Sequence, residues 1–280
     1  MMPSLAGSSA EPFSVLMSVY AGERAPWLDQ ALASIVSSTV LPAQVVLVQD
    51  GPLGNELQEV IVRYQSSLPL QVLRLEQNVG LGPALNAGLA LCRHEWVARF
   101  DTDDVLVADR FERQLAFLKA HPKVGIVGGW IHEFESDPEN DAGRVRRVPE
   151  THEAILAYAQ RRNPFNHMSV MFRRELALAH GGYQGELLYE DYALWVRMLQ
   201  GGAIAANIPR ILVKARAGRD MFQRRGGLRY VRSEATVQWA FYQGGFIGRR
   251  RLALNLLQRL PVRILPGPVR RWIYQQFLRA

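Results

Sequence analysis

The chain is 280 residues long, 48% hydrophobic and 21% charged, enough to bury a core of full domain size while leaving one or two domains open. Its single cysteine, Cys92, excludes an internal disulfide and fits a reducing compartment, and no apolar run approaches the roughly 20 residues that cross a bilayer. Net charge is +7 but uneven, because between Arg216 and Ala280 the only acids are Asp220 and Glu234.

Residues 1–12 carry neither the basic nor the apolar region of a secretory signal, so a disordered tail and a cytoplasmic location are expected. The run F-S-V-L-M-S-V-Y at 13–20 reads as a strand, and Trp27, Leu28, Ala31, Leu32, Ile35 and Val36 recur at helical spacing after it. A second strand, A-Q-V-V-L-V-Q at 43–49, ends at Asp50-Gly51-Pro52. A helix over 55–65 follows, carrying Leu57, Val60, Ile61 and Tyr64. Next come a strand at 70–75, a glycine-rich turn, a helix near 83–92 and the strand W-V-A-R-F at 96–100. Strands alternating with helices predict a parallel sheet covered on both faces, with ligand outside the carboxyl ends of the strands. Ser18 and Glu23, Asp50, Asn78 and Gly80, and Asp101 to Asp104 all fall at that edge.

Beyond Lys119, H-P-K-V-G-I-V-G-G-W at 121–130 reads as a turn and a strand, and 134–143 as a polar loop. The segment 164–174 reads as a strand opening on Asn166 and His167, and 185–199 as a helix with Glu190 and Asp191 in its first turn.

The densest chemistry is R-F-D-T-D-D at 99–104. Carboxylates as close as Asp101, Asp103 and Asp104 raise one another's pKa unless a cation or a donor array neutralises them. Either Asp103 or Asp104 caps a helix beginning near Ala108, or the three supply hard oxygen ligands for Mg²⁺ or Mn²⁺. There is no G-x-G-x-x-G after the first strand and no G-x-x-x-x-G-K-[ST], so a bound diphosphate needs some other neutralising charge. No His or Cys spacing suggests zinc, and no G-x-S-x-G or S-x-x-K element supports a hydrolase nucleophile.

The set V-L-M-S-V-Y at 15–20, V-V-L-V-Q-D-G-P at 45–52, E-Q-N-V-G-L-G-P-A-L-N-A-G at 76–88, R-F-D-T-D-D at 99–104 and L-Y-E-D-Y-A-L-W-V-R at 188–197 resembles the inverting nucleotide-sugar glycosyltransferases of family 2. The likeness runs from residue 13 to about 215 in the family's order. It implies the GT-A fold, a Rossmann-like, mostly parallel α/β sheet flanked by helices. It divides residues 13–215 into a nucleotide-binding half, 13–120, and an acceptor-binding half, 121–215. By resemblance Asp50 accepts from the uracil imide and Ser18 contacts the uridine. Asp104 contacts the metal, Mn²⁺ or Mg²⁺, while Asp101 and Asp103 bridge metal, ribose or sugar. Asp191 is the base, Glu190 orients a sugar hydroxyl, and Asn86, Arg99 and His167 approach the substrate. Where the family usually has D-D-G-S, this chain reads Gln49-Asp50-Gly51-Pro52.

Such an enzyme is expected to move one sugar from a UDP-sugar to a lipid-linked saccharide in exopolysaccharide or lipopolysaccharide synthesis. A catalytically silent nucleotide-sugar-binding subunit and a nucleotidyltransferase are the rival readings, the latter lacking its glycine-rich loop in S-V-Y-A-G-E-R-A-P. In residues 216–280, arginines interleaved with Leu, Ile, Trp and Phe fit an amphipathic element on an anionic membrane surface. A helical extension packed on the catalytic domain, or a homo-oligomer contact, fits the same pattern. No nucleic-acid-binding motif accompanies the basic residues.

Overall fold

The computed structural model describes residues 11–217 and 227–264. Its first half alternates as the hydrophobic pattern dictates: β1 (Phe13–Tyr20), α1 (Ala25–Val36), β2 (Gln44–Asp50), α2 (Asn55–Tyr64), β3 (Leu70–Arg74), α3 (Leu81–Leu91) and β4 (Trp96–Arg99). Every residue of β2 is buried, as a strand covered on both faces requires. Val45 and Leu47 enter one apolar layer with Leu28, Leu32 and Ile61; Val46 and Val48 enter the other with Leu85, Leu89 and Trp195. Period-two side-chain alternation thus builds two cores from one strand. Cys92 lies buried in the second of them.

Then follow β5 (Val105–Leu106), α4 (Arg110–Ala120), β6 (Val124–Phe134), β7 (Arg144–Arg146), α5 (His152–Ala159), a 3₁₀ turn (His167–Ser169), β8 (Met171–Arg173), α6 (Arg174–Ala179), α7 (Glu190–Gln200) and β9 (Ile204–Arg216). The sheet order is β3-β2-β1-β4-β8-β6-β9-β5, with β7 on β6. β1 to β4, β6 and β9 run the same way, while β5, β7 and β8 run against them. The mostly parallel sheet is present, and its second half is mixed.

That mixture serves the site. Because β8 is antiparallel to β4, its leading turn, His167–Ser169, arrives at the edge where β4 ends. β9, parallel to β6, delivers Arg216 to the same edge. The strand expected from residue 164 is confined to Met171–Arg173. Asn166 Nδ2 and Ser169 Oγ instead donate to the Gly129 carbonyl at 2.9 and 3.2 Å, and such side-chain bonds compete with a ladder.

Residues 228–264 contain α8 (Leu228–Gln243) and α9 (Arg249–Ile264), an antiparallel helical pair. Val237, Phe241, Ile247 and Leu252 pack on Tyr189, Tyr192, Ala193 and Val196, so this part of the basic C-terminal region lies on α7. The N-terminal residues 1–10 and the basic segments at 218–226 and 265–280 lie outside the described residues.

Candidate active site

One residue past β4, the Phe100 N–H still bonds the Leu16 carbonyl at 3.1 Å, and the chain then turns through Asp101-Thr102-Asp103-Asp104. The turn is pinned where Thr102 Oγ1 meets the Ser18 carbonyl at 3.3 Å and Glu23 Oε2 at 3.2 Å. Asp101, Asp103 and Asp104 each present a carboxylate oxygen, all within 4.8 Å of one another. None of them caps a helix: the N-cap of α4 is Asp109, whose own side chain makes no capping bond.

The electrostatics of the cluster are uneven. Burial works against ionising Asp101, but Arg99 and His167 outweigh it and hold the carboxyl well below the usual range. Burial and the Asp101 charge push Asp103 up to about 7. Asp104, at 2% exposure, is pushed well up by burial and then by Asp103 and Asp101. Its Oδ1 accepts the Arg216 backbone N–H at 2.8 Å, while Oδ2 is buried with no hydrogen-bond partner. An orphaned buried oxygen among mutually repelling carboxylates calls for a positive charge, and an all-oxygen donor set suits a hard divalent cation. The three residues therefore fit such a metal.

His167 joins this cluster to the first turn of α7. Its Nε2 lies 2.9 Å from Asp101 Oδ2 and its Nδ1 3.4 Å from Asp191 Oδ2. Burial opposes an imidazolium there, yet Asp101 and Asp191 lift the ring to about 10, so both nitrogens carry protons at neutral pH. Asn163 Nδ2 donates to Asp191 Oδ2 at 2.6 Å. Asp191 is half-buried, and against that burial the His167 hydrogen bond and charge hold it below its ordinary value. Burial and the Asp191 charge push the adjacent Glu190 up to about 7. Two neighbouring carboxyls with opposite shifts are suited to different proton roles. α3 and α7 meet closely enough here that a Cβ on Gly82 would lie 2.5 Å from the Gln184 carbonyl and 3.0 Å from Glu190 Cβ.

Arg99, 2% exposed, faces the cluster through its ion pair with Asp101. Ser18 is half-buried at the end of β1, with Val48 of β2 as its sheet partner. Asp50 Oδ1 and Oδ2 accept the backbone N–H groups of Val79 and Gly80 at 2.7 and 3.1 Å, so this carboxylate ties down the glycine-rich turn before α3. Asn86 is exposed on α3 with its Oδ1 against Gly182, and no hydrogen bond joins it to the acid cluster.

Two arginines complete the site without having been singled out from the sequence. Arg216 also donates from Nε to the Asp103 carbonyl at 3.1 Å and from Nη2 to Gln30 Oε1 at 2.7 Å, its guanidinium lying over both Trp27 and Phe134. Arg110, fully buried, donates to Gln114 Oε1 and to the Met168 and Arg99 carbonyls, bracing the acid turn against the His167 turn. Its signal was D-R-F-E-R-Q at 109–114, where Arg110 and Gln114 share a helix face.

Residues 14–178, from β1 into α6, match the family described as Glycosyl transferase family 2. The chain belongs to that family. It is also 41% identical over 94% of its length to the amylovoran biosynthesis glycosyltransferase AmsE of Erwinia amylovora, covering 98% of that protein. It is 40% identical over 95% of its length to an Escherichia coli UDP-Gal:α-D-GlcNAc-diphosphoundecaprenol β-1,3-galactosyltransferase, covering 96% of it. These relatives make it a glycosyltransferase. Among solved structures, TarS 1-349 of S. aureus in complex with UDP-GlcNAc superposes with a TM-score of 0.66 at 17% identity, over 90% of this chain and 72% of that one. The mannosyltransferase PcManGT of Pyrobaculum calidifontis, in complex with GDP-Man and Mn²⁺, gives 0.58 at 18% identity, over 93% and 79%. The fold is therefore that of the GT-A glycosyltransferases. The family match ends at residue 178, before Glu190 and Asp191.

Proposed function

We propose that the enzyme transfers a single galactose from UDP-galactose, with inversion, to an N-acetylglucosamine carried on a lipid diphosphate. The observation that carries this reading is the chain Asp101–His167–Asp191, which keeps a metal-type carboxylate and an ionised base one imidazole apart. A diphosphate held at the first and an acceptor hydroxyl at the second then share an anomeric carbon between them. The E. coli relative, at 40% identity, supports the choice of donor and acceptor.

In this reading residues 13–120 hold the nucleotide and 121–215 the acceptor. Asp50 and Ser18 face the uridine, and Asp101, Asp103 and Asp104 hold Mn²⁺ or Mg²⁺. The cation, when bound, neutralises the diphosphate as a Lewis acid. Asp191 takes the proton of the acceptor hydroxyl. That oxygen bonds to the anomeric carbon, the bond from this carbon to the β-phosphate oxygen breaks, and UDP leaves. Glu190, pushed up to about 7, orients a sugar hydroxyl. His167 keeps Asp191 ionised and offsets the charge of Asp101.

No helix among the described residues is long and apolar enough to cross a membrane. Trp239 and Leu257 are 51% and 71% exposed on the helical pair that also exposes Arg249 and Arg250, which supports a peripheral placement on an anionic cytoplasmic face. The test is to incubate the enzyme with UDP-galactose, Mn²⁺ and a short-chain alkyl GlcNAc diphosphate and to read the product anomer by NMR. The reading requires a β-linked disaccharide that Asp191→Asn does not form. UDP binding without transfer to any acceptor would favour a silent subunit instead.

A further inference from the structure

Leu188 has a φ of 68°, the one positive-φ residue other than glycine among those described, and it lies three positions before Asp191. Leucine is disfavoured in the left-handed region, so the turn must be imposed by its surroundings. Part of that restraint is local. The Tyr189 N–H donates to the Glu186 carbonyl at 2.9 Å, and Arg197 grips Glu186 while donating to the Gly182 carbonyl at 2.6 Å. The rest comes from the C-terminal helices. Ser233 Oγ donates to the Leu187 carbonyl, and the Tyr189 hydroxyl donates to Glu234 Oε2.

Glu234 is fully buried on α8 and paired with Arg259 of α9 through its other oxygen. Gln238 is fully buried too. It receives Asn255 Nδ2 at 2.8 Å, and that amide also reaches the Gln160 carbonyl at 2.9 Å. The apolar faces of α8, α9 and α7 already hold the helices together. A buried ion pair adds little net adhesion, because removing both charges from water offsets their attraction. What a directional network does add is register, and this one ends on Tyr189, the N-cap of α7. Two residues on, Asp191 must meet Asn163 and His167 at 2.6 and 3.4 Å.

We infer that the C-terminal helical pair is part of the catalytic apparatus: Glu234, held by Arg259, fixes the Tyr189 hydroxyl and thereby the turn that aims Asp191. Tyr189 and Glu234 are positioning residues, acting through Asp191, and the inference rests on Asp191 being the base. It also gives the extension a role that membrane attachment alone would not require.

The test uses the full chain and Tyr189→Phe, which removes one hydroxyl and keeps the ring against Tyr230. Turnover of UDP-galactose onto the alkyl GlcNAc diphosphate should fall by roughly 10- to 100-fold, the scale of a misplacement of about 1 Å. KM for the donor and Kd for UDP should stay within about twofold, because among the described residues the network reaches the site through α7. Amide exchange across residues 187–193 should speed up while that of β4 does not change. Glu234→Gln should reproduce this pattern. A folded Tyr189→Phe with wild-type kcat and unchanged exchange overturns the inference. So does a variant losing UDP affinity, melting temperature and kcat together, which is the signature of a merely structural contact. An active Asp191→Asn would instead overturn the base assignment. Should the wild type not use this substrate pair, the exchange measurement decides alone.

Discussion

Arg110→Met probes how the acid turn is held. The guanidinium donates to Gln114 Oε1 at 3.0 Å, to the Met168 carbonyl at 2.8 Å, to the Arg99 carbonyl at 2.9 Å and to the Val170 carbonyl at 3.3 Å. Val170 keeps a partner after the substitution, because its carbonyl also accepts the Arg99 N–H at 2.8 Å. The buried Gln114 and Arg99 oxygens and the part-buried Met168 carbonyl do not, and an orphaned acceptor costs about 1–3 kcal/mol. The gross loss is thus on the order of 3–7 kcal/mol, with the part-buried Met168 carbonyl at the low end of its range. Methionine returns part of it, because burial and the nearby Arg99 disfavour the arginine charge and bring its pKa down to about 9. A net destabilisation of about 2–4 kcal/mol follows, or roughly 5–12 °C in melting temperature for a chain of this size. Differential scanning calorimetry with matched buffers measures it. A variant as stable as the wild type would mean that the buried guanidinium is expendable, as buried ion pairs sometimes are, and would refute the bracing role given to it.

Gly82→Ala should cost about 1–3 kcal/mol, since its Cβ meets a backbone carbonyl at 2.5 Å, and should lower kcat further by displacing Glu190. Equal melting temperature and kcat would show that α3 and α7 part easily. A third prediction concerns pH. Asp103, lifted from 3.8 to about 7 chiefly by burial, gives stability that is complete below about pH 4 and fades as pH rises through 7, and Asp104, lifted well above its ordinary value chiefly by burial, acts in the same direction. His167, lifted from 6.5 to about 10 by the carboxylates that outweigh burial, adds a contribution lost from 6.5 upward. Asp101 and Asp191, held low, act only below about pH 4. In EDTA the melting temperature should therefore fall from about pH 5 to 8, and millimolar Mn²⁺ should flatten the fall. A flat EDTA profile argues against mutual repulsion in the cluster.

The sheet's first half was legible because each strand there is a short run that alternates with helices, even though β4 crosses over to pair with β1 and not with β3. β2, with all seven residues buried, is the clearest case. The acid cluster was legible as chemistry, since three carboxylates in four positions demand a partner. The partners were not. Arg216 reaches Asp104 across 112 positions, and nothing local in K-A-R-A-G distinguishes it from other basic residues. The His167 segment was misread as strand because Asn166 and Ser169 spend their side chains on backbone groups of β6, a tertiary preference with no periodic trace. In α8 and α9 the amphipathic pattern was real, but periodicity shows only that an apolar face exists. It does not name α7 as what covers it.

We propose that Asp101, Asp103 and Asp104 hold a cation which in turn holds a nucleoside diphosphate. Titration of UDP by calorimetry, in Mn²⁺ and in EDTA, tests it on the wild type and on Asp104→Asn, a substitution close in volume. Binding should be at least about tenfold tighter with Mn²⁺, and the variant should lose this dependence while remaining folded. Equal affinity in EDTA, or an unaltered Mn²⁺ effect in Asp104→Asn, would contradict it.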